Sequence, residues 1–466
     1  MPAAERVPRA SVFSYGEVHE RLQPVLRRWK AALRAGGGAR PFVFTCDVEK
    51  AFDNISIEKL WPLVCGTIAD EEYTLHRYAQ VTTESKGNLP VKLQYKNVCS
   101  EAGGSLEAVA AAGKTAVCVN HRAPQVVRKS AVLRTLKAFL FSHVVNLKGS
   151  WYLQKKGIPQ GSSLSPLLCS LFLGDLEAKH GLAPAAAAPH EGAAEPEAAL
   201  LRWIDDFLYI TPCPEDAAAF AGKMLAGFPE YGVKINPRKT GMNFDVEWGG
   251  KTLRRNQVSA GGGSYVAWCG LLLDSATLDV HNDFRKLQDS GIRDTMNIPV
   301  DRRPMKKLGE RLRFYLWAKS SPLLFDGTIN SGETVRLNFY QLFFYTALKG
   351  ACFVHHVGLG DSAGTVAEAV DAAISWLVAE SRKMKGCSTP PSQIQWLGLR
   401  AFMRVFSQGR AEGRAVLQLL DEELRRPDLA NLGHKLQSVT HPARSPILED
   451  LLRRSGKEWA GGARPR

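Results

Sequence analysis

The stretch "LLRWIDDFLYITP", residues 200–212, places two adjacent carboxylates, Asp205 and Asp206, in the middle of an apolar run rich in β formers. "LLRWI" and "FLYIT" predict two short strands with the acidic pair at the tight turn between them. An unpaired buried carboxylate is costly, so it normally sits exposed, paired or on a metal. Read alone, Asp-Asp is an ordinary turn dipeptide capped by water.

A second apolar run, "PFVFTCDV" at 41–48, predicts a strand ending near Asp47, 158 positions before Asp205. If the two strands are neighbours, three carboxylates converge at one edge of a sheet. Carboxylates that close repel one another, and cations relieve the repulsion. Hard cations with oxygen ligands, Mg²⁺ above all, suit such a donor set. Two metals about 3.5–4 Å apart stabilise the attacking and leaving oxygens of an in-line phosphoryl displacement.

The totals agree with a polyanionic partner. The 466 residues suffice for two or three domains with a large core, and the formal charge is +14. That balance points first to nucleic acid. Residues 281–466 hold 28 Lys and Arg against 19 Asp and Glu, so the excess leans towards the C-terminal part. Nine scattered cysteines form no C-x-x-C pair, which argues against a zinc ribbon or a disulfide framework and fits a reducing compartment. The N-terminus lacks the apolar core of a signal peptide. The longest apolar stretch, residues 335–358, is broken by Arg336, Asn338, Gln341 and Lys349 and reads as a buried helix of a chain with no membrane partner.

Working outward, residues 14–35 predict a helix, and "SIEKLWPLVCGTI" another with Ser56 as N-cap. Residues 84–130 are Gly/Ala-rich and weakly periodic, an insertion, and "KSAVLRTLKAFLFSHVV" returns to helical spacing. A Gly/Pro loop opens a helix with Ser165 and Pro166 in its first turn. "LAPAAAAPHEGAAEPEAA" is low-complexity and reads as a surface loop. "EDAAAFAGKMLAGF" is helical, short strands follow near 233–235 and 242–244, and the chain is helical from about residue 300. The fold class is therefore α+β, with an all-helical domain attached.

Five segments then carry a resemblance. "DVEKAFD", "KGIPQGSSLSPLLCSLFLGDLE", "RWIDDFLYITP", "GVKINPRKTGMNF" and "WCGLLLD" occur in the order of the palm motifs of a reverse transcriptase, over roughly residues 41–280. In detail they resemble the telomerase reverse transcriptase family. The "GIPQGS…LLCSL…GD" block, the arginine of "RWIDDFL" and "WCGLLLD" point to telomerase rather than to retroviral or retron relatives. The resemblance implies three parts: residues 1–40 as a helical remnant of the fingers region, a right-hand palm over 41–280 with its insertion at about 84–130, and a helical C-terminal thumb over 281–466.

It also implies roles. Asp47 and Asp205 would hold two Mg²⁺ ions, Asp206 would complete or support the cluster, and Val48 could add a backbone carbonyl. The primer 3′-hydroxyl would attack the α-phosphate of a deoxynucleoside triphosphate and expel pyrophosphate. Phe52 matches the aromatic beneath the incoming sugar, where a ring clashes with a 2′-hydroxyl; by itself it reads as a core phenylalanine. Gly157, Pro159, Gln160 and Gly161 would approach the nucleotide, glycine permitting close contact. Lys239 matches a proton donor to pyrophosphate, a task that asks for a lowered pKa; a solvated turn lysine is the equal alternative. Trp268, Cys269 and Gly270 match the primer grip, though Trp268 also reads as core. Lys306, Lys307, Arg311 and Arg313, interleaved with Phe314, Tyr315 and Trp317, suit a groove tracking an RNA–DNA duplex and equally a solvated helix face.

The partners implied are a telomerase template RNA, a telomeric single-stranded DNA primer, deoxynucleoside triphosphates and accessory telomerase proteins, in the nucleus at the telomere. On the same resemblance, basic fingers motifs and an RNA-binding domain stand upstream of Asp47, which only 46 residues precede here. A fragment, a truncated gene model and a short isoform all stay open. So do two rivals: a retroelement or intron-type reverse transcriptase, and a non-catalytic nucleic-acid-binding remnant.

Overall fold

The structure is a computed structural model. It describes residues 10–36, 40–83, 91–101, 116–120, 122–183, 198–260, 263–298, 304–358, 362–408 and 413–460. The chain divides into two compact units. The first takes Met1–Ser11, Val48–Leu182 and Gly227–Lys234; the second takes Val12–Asp47, Ala183–Ala226 and Ile235–Arg466.

The second unit is built on an antiparallel sheet ordered Gly241–Met242, Phe42–Asp47, Asp206–Thr211, Ala199–Trp203. Both faces of this sheet are covered, which is why its strands read as continuous apolar runs. On one face Val43, Leu208 and Ile210 join a core with Leu22, Leu26 and Trp29 of the helix Tyr15–Arg34. On the other, Phe44 meets Phe220 edge-on at 5.8 Å and Tyr209 stacks on it at 4.2 Å, Phe220 coming from the helix Pro214–Ala226. Ser14 starts the N-terminal helix by accepting the Glu17 amide at 3.2 Å.

That helix is fastened to the rest of the unit by polar contacts as well. Lys30 forms a buried ion pair with Asp279, and Asp326 accepts from Gln23 at 2.7 Å and meets His19 at 2.8 Å. A second antiparallel sheet, Val258–Ala260, Gly263–Trp268, Leu271–Asp274 and Val280–Asn282, precedes the helical block. Within that block the helix Gly332–Val357 is buried over most of its length. Its Lys349 lies over the rings of Tyr315 and Tyr345, at 4.7 and 5.1 Å, and donates to the Thr295 carbonyl at 3.1 Å. Among the described residues no helix is long and apolar enough to cross a membrane.

The first unit carries the helices Ile57–Thr67, Lys129–Phe141 and Ser165–His180. Ser56 caps the first of these, accepting the Lys59 amide at 3.3 Å. The segment expected as a weakly periodic insertion over 84–130 differs from that reading. Antiparallel pairing begins earlier, at Glu72–Thr83, with Val91–Glu101, Ala116–Asn120 and Gln125–Arg128 as its partners. Polar residues alternate along these strands, so no apolar run announced them; residues 84–90, 102–115 and 121 of the segment lie outside the described residues. The helix expected through "SHVV" stops at Phe141, and Val144–Leu147 pairs with Ser150–Leu153 as a hairpin.

Candidate active site

The antiparallel register sets Asp206 directly opposite Asp47. Residues opposed in this way project from the same face. Asp205 occupies the turn just before, after Trp203 and Ile204. Ile204 has φ +61°, a left-handed conformation that costs a β-branched residue about 1–2 kcal/mol. Arg202 compensates from inside. It is fully buried, donates Nη1 to the Ile204 carbonyl at 2.7 Å, and lies 5.6 Å over the Phe207 ring. The arginine read from the sequence only as a family marker therefore pins the acidic turn.

Burial, and then the charge of Asp47, raise the Asp205 carboxyl. Burial together with Asp205 and Asp47 pushes Asp206 up to about 6. Lys239 Nζ bonds both oxygens of Asp47 at 3.0 Å, and the Asn236 amide holds the Asp47 carbonyl at 2.9 Å. That bond to Asp47 raises the Lys239 ammonium, the opposite of the lowered value that efficient proton donation asks for. Among the described residues no three His, Cys, Asp or Glu side chains are gathered so as to cage a metal ion as they lie. The chemistry of the donor set nonetheless fits a hard divalent cation. Burial, and then mutual repulsion, raise the Asp205 and Asp206 carboxyls, and Lys239 stands on Asp47 in a cation's stead.

A pH dependence follows. Folded Asp206 keeps its proton to about pH 6, whereas an unfolded aspartate loses it near pH 3.9. Between those values the folded state binds more protons, so stability falls as pH rises through the window. In EDTA, Asp206→Asn should melt at a higher temperature than the unmutated chain above pH 6, the gap closing towards pH 4. Added Mg²⁺ should raise the melting temperature of the unmutated chain more than that of the variant. Scanning fluorimetry reads both, and a gap that ignores pH would show that the repulsion is absent.

The Trp268–Gly270 turn is fastened to the same strand. Trp268 is buried and donates Nε1 to the Asp206 carbonyl at 3.1 Å, while Cys269 Sγ lies 3.6 Å from Asp206 Oδ2. Cys269 and Gly270 have φ +48° and +78°, the pair of left-handed residues that a two-residue type I′ hairpin requires. With the Trp268 ring in the core, Cys269 and Gly270 form a half-buried tip. Tyr15 is a further residue holding this turn. Its hydroxyl donates to the Cys269 carbonyl at 3.3 Å and its ring lies 5.0 Å from Trp203. These partners are 254 and 188 positions away, so no local signal marks it.

Val48, Phe52 and the Gly/Pro loop belong to the first unit. Val48 is buried, but Phe52 is only partly so, unlike an ordinary core phenylalanine. The Ile158 amide donates to the Phe52 carbonyl at 2.8 Å. Gly157 has φ +75°, and a Cβ there would meet that carbonyl at 2.4 Å, so the loop passes Phe52 where only glycine fits. Pro159 is buried and accepts from the Ser165 hydroxyl; Gln160 is exposed and donates to Asp53 at 3.1 Å; Gly161 has φ +85°. In the helical block Lys306, Lys307 and Arg313 are exposed, as are Phe314 and Trp317, whose rings are 6.0 Å apart. Arg311 instead donates to the Asn297 carbonyl at 3.1 Å and covers Phe353, and Tyr315 is buried.

Known proteins resemble this chain in sequence and fold. The family model for reverse transcriptase (RNA-dependent DNA polymerase) matches residues 119–259, which include Asp205, Asp206 and Lys239 and begin after Asp47. The telomerase reverse transcriptase of Arabidopsis thaliana is 28% identical over 95% of this chain and 42% of its own length. That of Rattus norvegicus is 30% identical over 78% of this chain and 34% of its own length. The chain thus spans between about a third and two fifths of these relatives. Telomerase from Candida albicans, solved with a TWJ fragment of telomeric RNA, aligns over 90% of this chain and 56% of its own. The TM-score is 0.51 and the identity 16%, a likeness of fold.

Proposed function

This chain belongs to the telomerase reverse transcriptase family, and from that premise we propose that it extends DNA 3′ ends on an RNA template, as the palm and thumb of the enzyme. The observation that carries the reading is Asp47 opposite Asp206, with Asp205 on the adjoining turn and Lys239 on Asp47. Asp47, Asp205 and Asp206 would hold the metal, with the Val48 carbonyl beside them. Two Mg²⁺ ions bound there would supply Lewis-acid activation of the attacking hydroxyl and neutralise charge on the departing pyrophosphate. Lys239, held protonated by the carboxylates, would neutralise charge on that leaving group, and its raised ammonium speaks against an efficient proton transfer.

The hairpin tip at Cys269 and Gly270 would position the primer end. Gly157, Pro159, Gln160 and Gly161 would line the nucleotide's sugar and base. The exposed Lys306, Lys307, Arg313, Phe314 and Trp317 would track the duplex, with Arg311 supporting that helix from its partly buried side. Template RNA, single-stranded telomeric primer and deoxynucleoside triphosphates are the substrates so implied, with accessory proteins and a nuclear, telomeric place.

The test is templated extension, with the chain assembled with the RNA and domains its relatives carry. Addition of short repeats, dependent on one bound RNA, supports the proposal; copying of any long RNA would favour a retroelement or intron-type enzyme. Duplex binding that never leads to extension would favour a non-catalytic remnant. Phe52 gives a separate prediction. Phe52→Ala should raise ribonucleotide incorporation relative to deoxyribonucleotide by at least roughly tenfold, since a ring beneath the sugar excludes the 2′-hydroxyl by contact. Unchanged sugar selectivity would remove Phe52 from that role.

A further inference from the structure

We propose that the hairpin Val144–Leu153 in the first unit is a stacking platform for single-stranded nucleic acid. The proposal goes beyond the polymerase reading and does not rest on it.

The hairpin is an unusual object for a chain to leave in water. Val144–Leu147 pairs with Ser150–Leu153 through a two-residue turn, Lys148 and Gly149, with φ +52° and +87°. The register puts Val144, Trp151 and Leu153 on one face and Leu147 and Tyr152 on the other. All five are exposed, Trp151 at 72% and Tyr152 at 55%. Trp151 is the most exposed large apolar side chain among the described residues. A two-stranded hairpin with neither face packed is marginal by itself, and an apolar patch on each face marks a binding surface.

Charge selects the occupant. No Asp or Glu occurs between Glu107 and Asp175, a span that holds nine Lys and Arg. Arg128 and Lys129 pair with Glu72 and Glu71. Among the described residues Arg134, Lys137, Lys148 and Lys155 have no acidic partner, and all four are exposed. Lys148 is on the turn itself, Lys155 lies just past the second strand, and Lys137 is in the last turn-and-a-half of the preceding helix. Aromatic side chains for bases among unpaired cations for phosphates are the two parts of a single-strand site. A purely apolar protein partner would have to leave those cations unmatched.

The test is binding of the full chain to a labelled oligouridylate of about twelve nucleotides, with heparin as a polyanion that has no bases. Trp151→Ala and Tyr152→Ala should each weaken oligonucleotide binding roughly tenfold and leave heparin binding unchanged. Trp151→Phe should restore most of the loss. Lys137→Glu with Lys148→Glu should weaken both ligands and flatten the salt dependence. Both rings face solvent, so the variants spare the core. A Trp151→Ala, Tyr152→Ala double variant that binds oligouridylate as tightly as the unmutated chain overturns the proposal. So does an equal loss towards heparin, or no oligonucleotide binding at low salt, which would leave the hairpin to a protein partner. Asp205→Ala should not change this affinity. A chain that never extends a primer yet loses oligonucleotide binding with Trp151 would sink the polymerase reading alone.

Discussion

Replacing Asp205 by alanine should abolish nucleotide addition, by at least roughly a thousandfold, while binding of an RNA–DNA duplex stays largely intact. The expectation follows from what the side chain does in the fold. Asp205 sits on a turn held by other groups: the Ile204 carbonyl is fixed by Arg202, and the neighbouring Asp206 carbonyl by Trp268. Removing the Asp205 carboxylate therefore takes away a charge without taking away a support. It even relieves repulsion, since the Asp205 charge, after burial, raises the proton affinity of Asp206. A variant that folds as well as the unmutated chain, or better, and binds duplex yet does not extend it is the pattern of a lost catalytic group. Primer extension beside duplex affinity measures this, and undiminished extension would take Asp205 out of the reaction.

Arg202→Ala should have the reverse character: loss of activity through loss of structure. The guanidinium is fully buried and holds a turn whose central residue is strained. Truncation leaves a cavity and a carbonyl deprived of that donor, which together should cost about 3 kcal/mol. In a unit of roughly 300 residues that is a fall in melting temperature of about 4–6 °C. It also removes a positive charge that favours the ionised form of Asp205. Arg202→Lys should restore little, because an ammonium neither stacks on Phe207 nor offers the same planar donors. A melting temperature unchanged in Arg202→Ala would show that the turn stands without it.

Much of the palm was legible because its signals are local. The runs at 42–47 and 199–211 are apolar on both faces, Ser14 and Ser56 are capping residues, and Pro166 opens a helix. The meeting of Asp47 with the acidic pair was inferred from strand ends, and the register agrees. What escaped the reading is set by distance or by compensation. Tyr15 bonds across 254 positions. The pairing that begins at Glu72 rests on strands of mixed polarity, whose alternation, as in "VKLQYK" at 91–96, is a strand signal that the Gly/Ala-rich sequence beside it obscured. The raised ammonium of Lys239 arises from a contact 192 positions apart. Ile204 in a left-handed turn contradicts its own propensity, and only the buried arginine beside it makes sense of the choice.

The connectivity of the sheet has a consequence for how the chain comes to be. Ala199–Trp203 and Asp206–Thr211 are adjacent in sequence and can zip within microseconds. Phe42–Asp47 must wait, because most of the first unit, Val48–Leu182, is threaded between it and its partner. During synthesis the earlier strand leaves the ribosome with an unpaired apolar edge for as long as roughly 160 residues take to emerge, some ten to thirty seconds. The acidic centre is thus assembled late, and the nascent chain spends that interval as a natural client for chaperones.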